Sequence, residues 1–414
     1  MISMQDFFDA LKLGEFFSII RQTPLLESQR VDLELAGSRL AAEDVYSPED
    51  LPGSHRSAMD GYAVLARDTF GAGESNPVYL EKIVDLAIED VPEIELESGQ
   101  CVGIVTGGTL PPGADSVVMV EHVHEMGQGT VEIRRPVAPW ENVMLKGEDV
   151  GKGELILRQG QVITGPRTGL LAALGIGRVQ VYKRPEVGII STGDELVEIN
   201  QDPGPGRIRD VNTHALVQMV REAGCPARTY GIVPDARDSL AKVLARAMED
   251  NDIVLVSGGS SVGNRDFTIK AMSDLDGIEI LAHGLALSPG KPTIFGRLNS
   301  KCIWGLPGQV TSAQVVMLVL VLPFLRHLQG DPDPFTWDEK FMIRAALSRN
   351  LASKYGRADY VRVKLESREQ GVIAVPVTGK SGLLKTMLGA DGLIRIPENC
   401  EGLSQGDQVM VRLI

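Results

Sequence analysis

The sequence predicts an α/β multidomain protein built on a central doubly wound, mostly parallel sheet domain, with a β-rich inserted domain before it and a small β domain after it. Three observations predict this. From residue 185, apolar runs at 187–190, 229–233, 253–256, 278–281 and 302–306 alternate with helical patterns near 212–223, 235–250, 266–275 and 312–328. That rhythm means successive βαβ units. Residues 46–150 are rich in Gly and Pro, with short β-like runs at 78–80 and 131–133. After 330 the period switches to two: Val361, Val363 and Leu365 alternate with Arg362 and Lys364, and Val409, Val411 and Leu413 with Met410 and Arg412.

A chain of 414 residues exceeds one compact core, so several domains are expected. Ser3 and Asp6, followed by Phe7, Phe8 and Leu11, predict a capped opening helix. The boundaries read as 1–26 for that helix, packed on the α/β domain, 27–45 with 151–184 for a linking unit, 46–150 for the insert, 185–330 for the α/β domain and 331–414 for the tail.

Hydrophobic residues make up 43% and charged residues 23%, ordinary for a soluble globular chain. The formal charge of −14 argues against a nucleic-acid surface, so an anionic small substrate would have to be met locally by Lys, Arg or backbone N–H groups. Cys101, Cys225, Cys302 and Cys400 lie far apart and form no CxxC pair. This spacing fits neither a zinc site nor a disulfide framework and suits a reducing compartment. The N-terminus lacks a signal-peptide layout, and the apolar run 315–324 is about half of what a bilayer needs. A cytoplasmic protein with no membrane partner is expected.

In an open α/β sheet, ligands gather at the carboxyl ends of strands near a topological switch point. Two such ends carry unusual residues: STGDEL at 191–196, and SGGSSVG at 257–263. A Gly-rich turn after a buried strand lets backbone N–H groups approach an anion, and hydroxyls add donors. Ser257, Gly258, Gly259, Ser260 and Ser261 are therefore candidate phosphate binders. Lys291, in the stiff PGKP loop at 289–292, can be aimed at a fixed charge. Glu195, Asp235 and Asp266 all fall near strand carboxyl ends, and an Asp at a helix start is as often a cap as a ligand. Carboxylates gathered there would repel one another unless a divalent cation joined them, and oxygen ligands suit Mg²⁺. Asp60-Gly61 reads on its own as a turn before an apolar strand, and the segment around Thr106 as a loop.

The motifs change those odds. SAMDGYAV at 57–64, TGG at 106–108 with PPGADSVVMVE at 111–121, and KGEDV at 146–150 resemble the N-terminal half of MoeA-type molybdenum insertases. STGDEL, SGGSSVG with Asp266, PGKP, and GLPG at 305–308 resemble their next domain, and GLIRIP at 392–397 their β tail. The second set alone also fits MogA-like molybdopterin adenylyltransferases; its combination with SAMDGYAV does not. The resemblance spans nearly the whole chain. It implies a MogA-like central domain, a C-terminal β-barrel, and an elongated homodimer with its cleft between subunits.

It further implies molybdenum cofactor biosynthesis, with adenylylated molybdopterin and molybdate as substrates, AMP as a product, and an adenylyltransferase partner as donor. Catalytic roles fall on Asp60, Thr106, Glu195, Asp235, Asp266 and Lys291, and Mg²⁺ on Glu195, Asp235 or Asp266. Pro307 and Arg357 join the substrate binders. An adenylyltransferase, or a scaffold that carries the pterin without turnover, are the competing readings. The chain departs from the family pattern where a basic residue usually precedes PGKP and Ser288 stands instead, where GLPGNPVS reads GLPGQVTS at 305–312, and in the loose match at 381–384. A lost cation weakens the oxyanion pocket and leaves tungstate as an alternative to molybdate.

Overall fold

The computed structural model describes residues 10–258, 265–337, 341–369 and 371–414; the side chains of Arg265 and Asp266 are outside the description. The expected opening helix falls mostly on residues 1–9, also outside it. Leu11 is within it and is extended, bridging Leu285, so a helix across Leu11 is corrected. Its N–H and C=O are engaged by Gly284 and Ala286, which removes them from any helical ladder. The first described helix is Leu13–Ile20, with Leu13, Phe16 and Ile20 buried.

The central sheet has six strands, in the order Ala227–Val233, Val187–Thr192, Ile253–Gly258, Lys301–Leu306, Ile294–Leu298, Glu279–His283. All run in one direction except Ile294–Leu298, which is antiparallel to both of its neighbours. The helices Asn212–Glu222 and Val310–Leu328 pack on one face with Val187, Ile189 and Leu255. Arg237–Asp250 and Arg265–Ser273 pack on the other with Ile190, Val254 and Val256. Strands buried on both faces need apolar residues at consecutive positions, which explains IVLV at 253–256. Phe16 reaches into the first face, meeting Phe295 and Trp304 edge-on at centroid distances of 5.7 and 5.6 Å.

The helix Val310–Leu328 is 19 residues long with mean hydropathy 1.6, and it is packed into the core. It is longer than its apolar run because Val310 to Gln314 and Leu325 to Leu328 continue it. Pro323 lacks an N–H and crowds the carbonyl one turn back, and the backbone widens into a π segment at Met317–Val321.

The insert forms one mixed six-stranded sheet, ordered Ser116–Met119, Gly61–Val64, Gln100–Ile104, Val78–Leu86, Thr130–Ile133, Val123–Gly127. It joins the linking unit through a two-stranded neck, where Val45–Tyr46 pairs with Leu155–Leu157 and Leu51 bridges Val150. The linking unit pairs Ser28–Asp32 with Arg178–Tyr182 over a small core of Leu33, Leu157, Ile163 and Val181.

The C-terminal strands Ala358–Arg368, Gly371–Pro376, Met342–Leu347, Gln408–Leu413 and Gly392–Ile396 close into a five-stranded barrel, because the first also pairs with the last. Leu287–Ser288 of the α/β domain adds to Ala358 and Asp359 in parallel and fixes the barrel beside the central sheet.

Candidate functional site

The strand order places the topological switch between Val187–Thr192 and Ile253–Gly258, with Thr192 opposite Gly258. A Cβ on Gly258 would lie 2.2 Å from the Thr192 carbonyl oxygen, so only glycine fits there. Thr192 Oγ1 donates to Asp235 Oδ1 at 2.7 Å, and the Asp235 N–H donates to Asp194 Oδ1 at 3.2 Å. These bonds aim the Asp235 carboxylate along the sheet edge.

Three cavities open at this edge. One of about 280 Å³ is lined by Gly258, Ser288, Lys291, Pro307, Ser312 and Arg357, among others. A second, of about 570 Å³, is lined by Asp194, Glu195, Arg207 and Asp235. A third, of about 500 Å³, takes in Glu195, Arg207, Asn212, Ser257, Gly258 and Gln309. The structure therefore brings Lys291, Pro307, Arg357 and Gly258 together, and Glu195 with Asp235. Gly259, Ser260 and Ser261 lie outside the described residues, as does the side chain of Asp266.

Lys291 is exposed, and its ammonium makes no hydrogen bond or ion pair among the described residues. Arg357 comes from the barrel and is partly committed: its Nε lies 2.9 Å from Asp359 Oδ1, and the same carboxylate accepts from Ser353 Oγ at 2.9 Å. The charge Arg357 can offer a dianion is reduced accordingly. Ser257 is buried, and its hydroxyl accepts from Asn212 Nδ2 at 2.6 Å, so its side chain ties strand to helix.

Asp60 and Thr106 line none of these cavities. Asp60 precedes strand Gly61–Val64 and Thr106 follows strand Gln100–Ile104; the pairing of Gly61 with Ile104 sets them side by side. The Thr106 N–H and Oγ1 both donate to Asp60 Oδ1, at 2.7 and 2.9 Å. The amide first, then the hydroxyl, hold the Asp60 carboxyl below the ordinary carboxylate range. Gly61 is required because a Cβ there would lie 2.0 Å from the Val118 carbonyl oxygen. Apolar Met59, Ile88 and Val105 stand exposed in the neighbouring segments.

Family models match the chain almost from end to end. The MoeA N-terminal region (domains I and II) matches residues 9–175, and the MoeA C-terminal region (domain IV) matches 344–414. A family described as a "probable molybdopterin binding domain" matches 188–327. The chain belongs to the MoeA family. A molybdopterin biosynthesis protein of Methanocaldococcus jannaschii is 38% identical over 394 residues, covering 93% of this chain and 92% of its own. The molybdopterin molybdenumtransferase of Haemophilus influenzae is 33% identical over 402 residues, covering 95% and 96%. A crystal structure of the MoeA protein of Pyrococcus horikoshii aligns with a TM-score of 0.82 at 30% identity, covering 98% of this chain and 100% of that one.

In this MoeA-family chain several site residues escape sequence reasoning. Asn212 donates to Ser257 and, at 2.9 Å, to the Gly308 carbonyl, joining the SGG and GLPG turns. Its Oδ1 is buried with no hydrogen-bond partner among the described residues, on the wall of the third cavity. Asp210, 4% exposed, accepts from Ser191 Oγ and from the Thr213 N–H, both at 3.1 Å. The available signal is the run IRDVNT at 208–213, where polar residues stand just before an amphipathic helix. Arg207 has no comparable signal: it is an exposed residue in a Gly-Pro loop.

Proposed function

We propose that this chain is a molybdopterin molybdenumtransferase, acting in molybdenum cofactor biosynthesis by inserting molybdenum from molybdate into adenylylated molybdopterin with release of AMP. The observation that carries the reading is the meeting of Lys291, Arg357, Pro307 and Gly258 around one small cavity, beside a second that holds Glu195 and Asp235. A tetrahedral dianion needs a cation and several donors in a small space. Lys291 supplies the charge, and Ser288, Ser312 and Arg357 add donors.

Glu195 and Asp235 face the adjoining cavity as oxygen donors. Among the described residues no group of three or more His, Cys, Asp or Glu side chains is placed to hold a metal alone. One or two carboxylates completed by substrate phosphate oxygens are what Mg²⁺ takes, so this pair fits a substrate-completed site. Bound there, Mg²⁺ would supply neutralisation of the anhydride charge. Thr192 keeps Asp235 turned toward that cavity, and the Gly258 backbone leaves room for a phosphate.

Asp60 is the candidate for positioning or proton handling, kept ionised by Thr106. Because it stands on the insert among exposed apolar residues, we place it opposite the α/β cleft of a second copy, in a homodimer. An adenylyltransferase reaction must supply the substrate. The cysteines, all free and three of them buried, suit a cytoplasmic setting.

A single-turnover assay with adenylylated molybdopterin, Mg²⁺ and molybdate or tungstate tests the reading. Oxyanion-dependent AMP release, with metal appearing on the pterin, is expected. Adenylylation of the pterin from ATP, or tight pterin binding with no turnover, would overturn it. The ratio of molybdate to tungstate rates identifies the preferred metal.

A further inference from the structure

The barrel contributes a wall to two of the cavities. Ser381 lines the 280 Å³ cavity, while Gly382 and Leu384 line the 500 Å³ one. This wall is gripped from two sides. On the barrel, the buried Arg362 donates to the Thr386 hydroxyl and, at 3.2 Å, to the Gly379 carbonyl. On the α/β domain, Thr311 opens the helix Val310–Val316, and both its donors converge on one acceptor. Its N–H reaches the Ser381 carbonyl at 3.2 Å and its Oγ1 the same oxygen at 2.7 Å.

Thr311 is 0% exposed, and a hydroxyl buried that deeply costs stability unless it is bonded. The GLPGNPVS pattern has Val at this place, which would fill the same volume and offer no side-chain donor. The hydroxyl therefore has one use here that packing does not explain: it holds the carbonyl of a wall residue 70 positions away. Ser312, the next residue, lines the same cavity as Ser381 and Lys291.

We infer that Thr311 is a positioning residue, a hydroxyl latch that fixes the Ser381–Leu384 wall against the strand ends and so presets the oxyanion cavity. A preset wall spares the substrate the entropy of ordering it. Loss of the latch should therefore weaken oxyanion capture while leaving the chemical step nearly intact. This rests on the molybdenumtransferase reading for its kinetic arm only.

The test compares Thr311→Val, which keeps the volume, with Thr311→Ser, which keeps the hydroxyl, in the full-length protein. Two measurements are made: molybdate KM and kcat in the insertion assay, and amide hydrogen exchange of residues 380–386 in the ligand-free protein. Thr311→Val should raise the KM for molybdate roughly five- to tenfold, the worth of one hydrogen bond, with kcat within about twofold. It should also speed exchange across 380–386, and Thr311→Ser should restore both. A Thr311→Val protein that matches the wild type, or a Thr311→Ser protein as impaired as Thr311→Val, would overturn the latch. If the wild type itself shows no oxyanion-dependent AMP release, the functional reading has failed. The exchange comparison then decides the latch alone: faster exchange in Thr311→Val than in Thr311→Ser supports it, and equal exchange overturns it.

Discussion

Asn212→Ala gives the most direct test of how the strand-end turns are held. The amide donates at 2.6 Å to the Ser257 hydroxyl and at 2.9 Å to the Gly308 carbonyl. Asn212 and Ser257 are 8% and 1% exposed, so water cannot readily replace the first bond. A buried acceptor left without its donor costs about 1–3 kcal/mol. The Gly308 carbonyl is partly accessible and contributes less, about 0.5–1 kcal/mol. With a small residual cavity, the sum is roughly 2–4 kcal/mol. For a unit of this size that lowers the transition of the α/β domain by about 5–12 °C.

Scanning calorimetry of the full chain reads it directly. Asn212→Asp is the companion, since it keeps the shape, loses both donors and sets a carboxylate oxygen against the Gly308 carbonyl. It should be at least as destabilised as Asn212→Ala. A shift below about 2 °C for Asn212→Ala, or a wild-type transition for Asn212→Asp, would refute the claim that this amide clamps the two turns.

Other outcomes follow from the same geometry. Thr106→Val removes one of the bonds that depress the Asp60 pKa, so that pKa rises toward its ordinary value. If Asp60 acts ionised as proposed, activity is then lost at a higher pH on the acidic side, and a pH–kcat/KM profile with an unmoved acid limb would exclude this role for Asp60. Lys291→Gln should raise the KM for molybdate by roughly 10- to 100-fold, as expected for one cation facing a dianion in a half-screened site, and should flatten the salt dependence of that KM. Thiol reagent should label Cys400 in the native protein and all four cysteines in denaturant: burial pushes Cys101 and Cys302 up to about 12 and Cys225 to about 11. Fast labelling of a second thiol in the native state would contradict that burial.

The α/β domain was legible in the sequence because strands covered on both faces must be continuously apolar, as at 187–190 and 253–256. The strand Ile294–Leu298 was not, since Gly296, Arg297 and the tight turn at Asn299, with φ 57°, interrupt its pattern. Lys291 stood out by its stiff loop, whereas Pro307 joined it only through the resemblance to the family pattern. Arg357 joins them only through a strand pairing, Leu287–Ser288 with Ala358 and Asp359, between segments about 70 residues apart. The Asp60–Thr106 contact likewise depends on register, which a turn and a loop read separately do not encode. Asn212 and Thr192 escaped because their work is to orient other residues, and no residue type announces that.

The two-stranded neck has a mechanical consequence. Chain enters and leaves the insert side by side, with Ser47 and Glu154, then Leu51 and Val150, hydrogen-bonded across it. Such a ribbon bends easily about an axis in its own plane and resists bending edgewise. The insert's six strands pair with one another beyond this ribbon, so a bend in it would carry that sheet as a unit. Asp60 and Thr106 lie beyond the ribbon and are bonded to each other, so a bend there would shift them together relative to the central sheet while their mutual geometry stayed fixed.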